Sequence, residues 1–88
     1  MTVSLDLSLY PLTPDYETPI KDFIRRLRAT EGLSVATNPL ATQVTGEYDT
    51  VMRALTEAMR PTLAADVPCS FVIKILNVAI EPGATVTI

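Results

Sequence analysis

The sequence predicts one small α+β domain with the element order βαββαβ. Two observations predict it. Four segments with strand character are separated by two segments whose apolar residues recur at helical spacing. The halves 3–38 and 41–76 also repeat the order strand, helix, strand over about 36 residues each. This is the split βαβ, ferredoxin-like pattern. Right-handed crossovers then place both helices on one face of a four-stranded antiparallel sheet with strand order 4-1-3-2.

The spacing of apolar residues changes between the first strand and the first helix. Residues 3–10 alternate between apolar and polar side chains, which is the pattern of a half-buried strand. Apolar residues over 20–27 instead recur at i, i+3, i+4 and i+7, as on one face of an amphipathic helix. Thr18 is the expected N-cap with Pro19 at the first helical position, and Gly32 is the expected C-terminal stop.

The central segments predict a tight hairpin followed by the second helix. Residues 33–38 and 40–46 form two strands joined at Asn38-Pro39, a connection too short for a crossover, so the strands are expected to be antiparallel. Asp49 is the candidate cap of the second helix. Pro61 is expected to end or kink that helix.

The fourth strand is the most apolar part of the chain. Residues 70–78 contain only Lys74 and Asn77 as interior polar residues, so a buried strand is expected. We therefore divide the chain into a ferredoxin-like domain over 1–78 and a turn with a short β-prone tail over 79–88. Such a tail is expected to add to a sheet edge or to pair with a neighbouring chain.

Composition excludes several functions. The chain has no His and one Cys, Cys69, so a Cys/His zinc site, a Ser-His-Asp triad and a Cys-His dyad are excluded within one chain. No carboxylate pair at useful spacing and no glycine-rich phosphate loop is present, so we expect neither an enzyme nor a bound cofactor or metal. The net charge of −3 argues against nucleic-acid binding.

The apolar content predicts self-association, and the lack of a membrane span or signal peptide predicts a cytoplasmic location. No apolar run approaches the roughly 20 residues of a membrane span, and the N-terminus lacks the features of a signal peptide. We therefore expect a cytoplasmic protein without membrane insertion. Hydrophobic residues make up 48% of the chain, which is more than a soluble domain of this size needs. A homo-oligomer, either a homodimer or a homotetramer, would hide the surplus.

The sheet face without helices carries the candidate ligand-binding residues. Alternation places Asp6, Ser8 and Tyr10 of the first strand on this face, beside Gln43 of the third strand and Asn38 at the end of the second. Hydroxyls, amides, an acid and an aromatic ring are typical of a pocket with a few directed polar groups, but also of a subunit interface. Both interpretations stay open at this point.

Some of these residues also have simpler roles. Asp6 and Lys74 lie on neighbouring strands, so a cross-strand ion pair contributing about 0.2–1 kcal/mol is one alternative to a ligand contact. Asn38 beside Pro39 suits a turn. Gln43 is the stronger binding candidate of the two amides, because a long amide in the middle of a strand needs hydrogen-bond partners once it is covered.

The order of short segments along the chain resembles the YkoF-like family of thiamine-binding proteins. The segments that carry the resemblance are SLYPL (8–12), PIKDFI (19–24), GL (32–33), TN (37–38), TQV (42–44), GEYDTVM (46–52) and FVIKILN (71–77). The resemblance implies a ferredoxin-like domain that binds thiamine or its hydroxymethylpyrimidine precursor without catalysis. It also implies that a single-domain chain makes the paired unit by forming oligomers.

Two functions follow from the sequence. The first is non-catalytic binding of thiamine or hydroxymethylpyrimidine in thiamine salvage or homeostasis. By position, the family resemblance suggests Asp6, Ser8, Tyr10, Asn38 and Gln43 as the residues near the ligand. The alternative is a structural or interaction homo-oligomer whose sheet face binds another subunit or protein rather than a small molecule.

Overall fold

The computed structural model describes residues 1–88 and has the predicted element order. The elements are β1 (Thr2–Pro11), α1 (Glu17–Arg28), β2 (Ser34–Thr37), β3 (Thr42–Glu47), α2 (Tyr48–Ala64) and β4 (Cys69–Leu76). All strand pairs are antiparallel, and the strands lie in the order β2-β3-β1-β4. This is the predicted order counted from the other edge, so the predicted fold is confirmed. No helix is long and apolar enough to cross a membrane.

The core forms between the sheet and the two helices because alternation sorts the side chains of the central strand. The apolar residues of β1 point toward the helices, and all four are buried. They pack in one cluster with Phe23 and Leu27 of α1 and with Val51 and Leu55 of α2. The opposite side chains of β1 lie on the helix-free face, where Asp6 pairs across the sheet with Gln43, as predicted.

The predicted start of α1 is wrong by two residues, and no side chain caps the helix. Tyr16 occupies the N-cap position without a side-chain hydrogen bond, and the helix begins at Glu17. The Thr18 hydroxyl instead donates to Asp15 Oδ1 at 3.0 Å. Pro19 still lies in the first turn, where its missing N–H has no partner to lose. Gly32 has a φ of 85° and lies in the turn before β2 rather than at the helix end.

The start of α2 also differs from the prediction, since Glu47 rather than Asp49 caps it. Glu47 Oε2 accepts the backbone N–H of Thr50 at 3.1 Å. Hydrogen bonds from the backbone N–H groups of Thr50 and Asp49 hold the pKa of the Glu47 carboxyl below its ordinary value. Pro61 does not end the helix, which continues to Ala64. A proline removes one backbone hydrogen bond from a helix, yet α2 continues for three residues beyond Pro61.

The lowered pKa of Glu47 predicts a pH-dependent contribution to stability. A carboxyl whose pKa is lower in the folded state stabilises the fold above its ordinary pKa and loses this effect as the pH falls through the lowered value. Glu47→Gln keeps an oxygen acceptor but removes the charge. We expect this variant to be less stable than wild type at pH 7, with the difference closing in acid. Urea denaturation between pH 7 and pH 3 measures it, and a difference that does not vary with pH would contradict the assignment.

β4 is much more exposed than its composition predicts. Six of its eight residues are exposed, including Val72, Ile73, Ile75 and Leu76. The expected buried strand is therefore wrong for a single chain. The physical reason is that β4 pairs only with β1 and forms an edge of the sheet, while the helices pack mainly against β1, β2 and β3.

The chain after β4, which includes the predicted tail 79–88, crosses the helix-free face of the sheet. The Ser4 hydroxyl on β1 donates to Val78 O at 2.6 Å and accepts the Ile80 N–H at 3.0 Å. Farther along, Gln43 Oε1 on β3 accepts the Gly83 N–H at 2.8 Å. Gly83 has a φ of 81°, and a Cβ built on it would lie 3.1 Å from the Cβ of Ala36 on β2. The tail thus passes over β1, β3 and β2 without forming a strand of its own.

Candidate ligand-binding site

A cavity of about 440 Å³ lies at one end of the sheet. It forms where β1 ends, α1 begins and the loop between β2 and β3 turns. None of the residues that line it is charged. They are Leu7, Ser8, Leu9, Tyr10, Pro11, Leu12, Tyr16, Ile20, Phe23, Ile24, Thr37, Asn38, Pro39, Leu40, Ala41 and Thr42.

The loop between β2 and β3 is held by one amide side chain. Asn38 Oδ1 accepts the backbone N–H groups of Leu40 at 2.8 Å and of Ala41 at 2.9 Å. Short polar side chains commonly stabilise turns in this way. The Ser8 hydroxyl lies 3.4 Å from Leu40 O, which brings the loop near β1. Asn38 therefore has the predicted turn role, and it also lines the cavity.

Three of the sixteen residues that line the cavity are aromatic. Tyr10 follows from the alternation of β1, and Tyr16 precedes α1; both side chains are about half exposed. Phe23 lies deeper and is fixed by an edge-to-face contact with Phe71, with ring centroids 5.0 Å apart. Such walls suit a flat ring, which stacks on exposed aromatic faces and excludes water.

A few hydroxyl and amide groups on this apolar wall can form directed hydrogen bonds. Thr37 Oγ1 and Thr42 Oγ1 lie 3.0 Å apart across the hairpin, and one of them donates to the other. Asn38 uses its oxygen in the turn, and its amide N–H groups make no hydrogen bond within the chain. The cavity combines a mostly apolar wall with a few polar groups, which is the usual make-up of a small-molecule site.

The structure brings three of the five predicted site residues together. Ser8, Tyr10 and Asn38 line the cavity. Asp6 and Gln43 are direct cross-strand partners on the same sheet face, but they lie outside it. The side-chain oxygen of Gln43 accepts a hydrogen bond from the tail. The partner that was predicted for this amide is therefore the backbone N–H of Gly83.

Asp6 keeps a carboxylate on the helix-free face without an ion-pair partner. It is half-buried and lies opposite Lys74 in the register of β1 and β4. The alternative of a cross-strand ion pair is not seen. The three ion pairs of the structure all lie within helices, two in α1 and one in α2. Asp6 therefore forms no ion pair within the chain.

Sequence reasoning missed part of the cavity wall. It chose most residues by the alternation of strands, whereas Leu12, Tyr16 and residues 39–41 enter through connections between elements. A signal was present for Tyr16, an aromatic residue between Pro14 and a helix start. Aromatic residues in loops often take part in binding, because a rigid scaffold positions the loop.

Comparison with known proteins supports a common family. The model of the YKOF-related family matches residues 2–78. Protein SP2199 from Streptococcus pneumoniae is 30% identical, with a TM-score of 0.78 over 91% of this chain and 90% of that one. Protein MJ1052 from Methanocaldococcus jannascii is 24% identical, with a TM-score of 0.75 over 91% and 84% of the two chains.

A third solved structure has a provisional metabolic assignment. Protein TM0486 from Thermotoga maritima, provisionally assigned to thiamine biosynthesis or salvage, is 21% identical with a TM-score of 0.66. The match covers 83% of this chain and 82% of that one, and at this identity it shows a shared fold. No curated protein matches the chain.

Proposed function

This chain belongs to the YKOF-related family, and from that premise we propose that it binds thiamine or hydroxymethylpyrimidine without catalysis, as a homo-oligomer. The provisional assignment of the Thermotoga protein motivates the ligand class. The observation that carries the proposal is the uncharged, aromatic-walled cavity at the end of β1. A role in thiamine salvage or homeostasis is compatible with the cytoplasmic location expected from the sequence.

The chemistry of the cavity favours the pyrimidine part of the ligand. An aminopyrimidine ring is flat and uncharged, with ring nitrogens that accept hydrogen bonds and an amino group that donates them. Tyr10 and Tyr16 provide surfaces for stacking. The hydroxyl of Ser8 and the amide of Asn38 supply groups that recognise ring nitrogens and the amino group. A phosphate ester would find no cationic side chain on the cavity wall.

The position of Asp6 suggests how the longer ligand extends. Asp6 and Ser8 lie on the same face, about 7 Å apart along β1. A ligand with its pyrimidine in the cavity beside Ser8 would direct a thiazolium cation toward the Asp6 carboxylate. We infer that the cavity recognises the pyrimidine, while Asp6 adds affinity only for the cationic compound.

Neutralising Asp6 is therefore expected to separate the two ligands. Asp6→Asn should weaken thiamine binding about tenfold, equivalent to about 1.4 kcal/mol. The affinity for uncharged hydroxymethylpyrimidine should stay within about twofold of wild type. Isothermal titration calorimetry of both ligands against both proteins measures the difference. An equal loss for both ligands would contradict the proposed orientation, and no loss for either would mean that the ligand does not reach Asp6.

The proposal itself is tested by calorimetry on the wild-type protein, with its oligomeric state first determined by light scattering. We expect micromolar or tighter binding near one ligand per chain. Ligand recovered after incubation should be chemically unchanged by mass spectrometry, as a binding protein requires. No heat from a folded oligomer would reject small-molecule binding. It would favour the alternative of a structural or interaction homo-oligomer.

A further inference from the structure

The outer edge of β4 is an apolar strand edge with no partner in the chain. β4 pairs with β1 on one side only. Val72 and Leu76 on the helix-free face, and Ile73 and Ile75 on the helix face, are between 37% and 56% exposed. A strand edge with free backbone groups and apolar side chains on both faces is a template for another strand.

The same chain carries an unpaired segment with strand character. Residues 84–88 alternate between the apolar Ala84, Val86 and Ile88 and the two threonines between them, and none is charged. Val86 and Ile88 are among the most exposed apolar residues of the protein. The single backbone hydrogen bond of this segment is a turn contact from Ala84 N–H to Glu81 O.

This segment is held too far from the β4 edge of its own chain to pair with it. Gly83 contacts Gln43 of β3 and approaches Ala36 of β2, which is the opposite edge strand. The free position beyond β4 is four strand spacings from β2, or about 19 Å at about 4.8 Å each. Five extended residues span only about 17 Å. The tail would therefore have to leave the sheet face to pair within its own chain.

We propose that residues 84–88 of one copy pair with the outer edge of β4 in a second copy, by a reciprocal exchange of tails. The proposal rests on the homo-oligomer of the proposed function and names its surface. An exchange of this kind has two-fold symmetry, so each copy donates one tail and accepts one. With Val86 and Ile88 on the helix side, they extend the apolar surface of Ile73 and Ile75. The threonines then lie beside Lys74, where a polar neighbour is tolerated.

Truncation after Gly83 tests the exchange. Light scattering over a range of concentrations should show at least a tenfold weaker association for residues 1–83 than for wild type. Circular dichroism should show a folded domain, since the removed residues make one turn hydrogen bond. Val86→Lys should weaken association in the same way. Leu63→Lys is the matched control, because Leu63 is an exposed apolar residue on α2, and this variant should associate as wild type does.

Cross-linking identifies the strand that each tail contacts. In a Cys69→Ala background, a Val86→Cys chain mixed with an Ile73→Cys chain of different mass should form a mixed cross-linked dimer with a short bismaleimide. Strong cross-linking of Ile73→Cys chains with themselves, together with association of residues 1–83 at wild-type strength, would overturn the exchange in favour of direct β4 pairing. Thiamine is also titrated into wild type and into residues 1–83. This titration measures ligand binding independently of association, so a failure of the tail exchange is distinguished from a failure of the proposed function.

Discussion

Replacing Phe23 with alanine is expected to lower the free energy of unfolding by about 3–5 kcal/mol. Phe23 is 2% exposed, and its ring forms the edge-to-face contact with Phe71 that connects α1 to the start of β4. Alanine would remove both the buried ring and this aromatic contact, and it would enlarge the cavity that Phe23 lines. Natural domains of this length have a total stability of roughly 4–13 kcal/mol, so much of the folded state's margin would be lost.

Thermal and urea denaturation measure this effect. A loss of 3 kcal/mol or more lowers the midpoint of thermal unfolding by at least about 12 °C in a domain of this size. Leu63→Ala is the control, since Leu63 lies on the exposed surface of α2 and should change stability by less than about 0.5 kcal/mol. A loss below about 1 kcal/mol for Phe23→Ala would show that the core does not depend on this ring.

Tyr10→Ala should weaken binding of hydroxymethylpyrimidine by about tenfold to a hundredfold. The stacking of a heterocyclic base on an aromatic side chain is worth about 1–3 kcal/mol, and Tyr10 supplies such a surface at the mouth of the cavity. Because the side chain is about half exposed, the domain should remain folded without it.

The conservative variant separates the ring of Tyr10 from its hydroxyl. Tyr10→Phe keeps the stacking surface and should bind within about threefold of wild type. Calorimetry gives the affinities, and circular dichroism checks that each variant is folded. If Tyr10→Ala binds as wild type does, the ligand does not occupy the cavity beside β1. If Tyr10→Phe is as weak as Tyr10→Ala, the hydroxyl rather than the ring recognises the ligand.

Strand alternation predicted the face of each sheet residue, because successive side chains of a strand point to opposite faces of the sheet. Asp6 lies opposite Gln43 and Lys74, as the predicted strand order requires. The ends of the helices were less predictable. At α2, both Glu47 and Asp49 are acidic residues near the first turn, and the choice between them depends on backbone geometry that the sequence does not specify.

Burial of β4 could not be predicted from its composition. Apolar residues such as Ile75 indicate that a strand will be covered, but they do not say whether the cover belongs to the same chain. In a single copy the strand is an exposed edge.

The cavity was only partly predictable for a related reason. The sequence identified Ser8, Tyr10 and Asn38, whereas Tyr16 and residues 39–41 are placed by tertiary contacts. Gln43 accepts a hydrogen bond from the tail, and no local sequence pattern predicts this contact.

The central position of β1 has a consequence for the synthesis of the protein. Within this domain β1 leaves the ribosome before every other element, yet it lies between β3 and β4, and β4 ends only at Leu76. The hydrogen bonds of the Ser4 hydroxyl form later still, because its partners are Val78 and Ile80. The first strand therefore cannot acquire its final neighbours until β4 and the residues after it have been synthesised, so this domain should complete its folding only then rather than element by element.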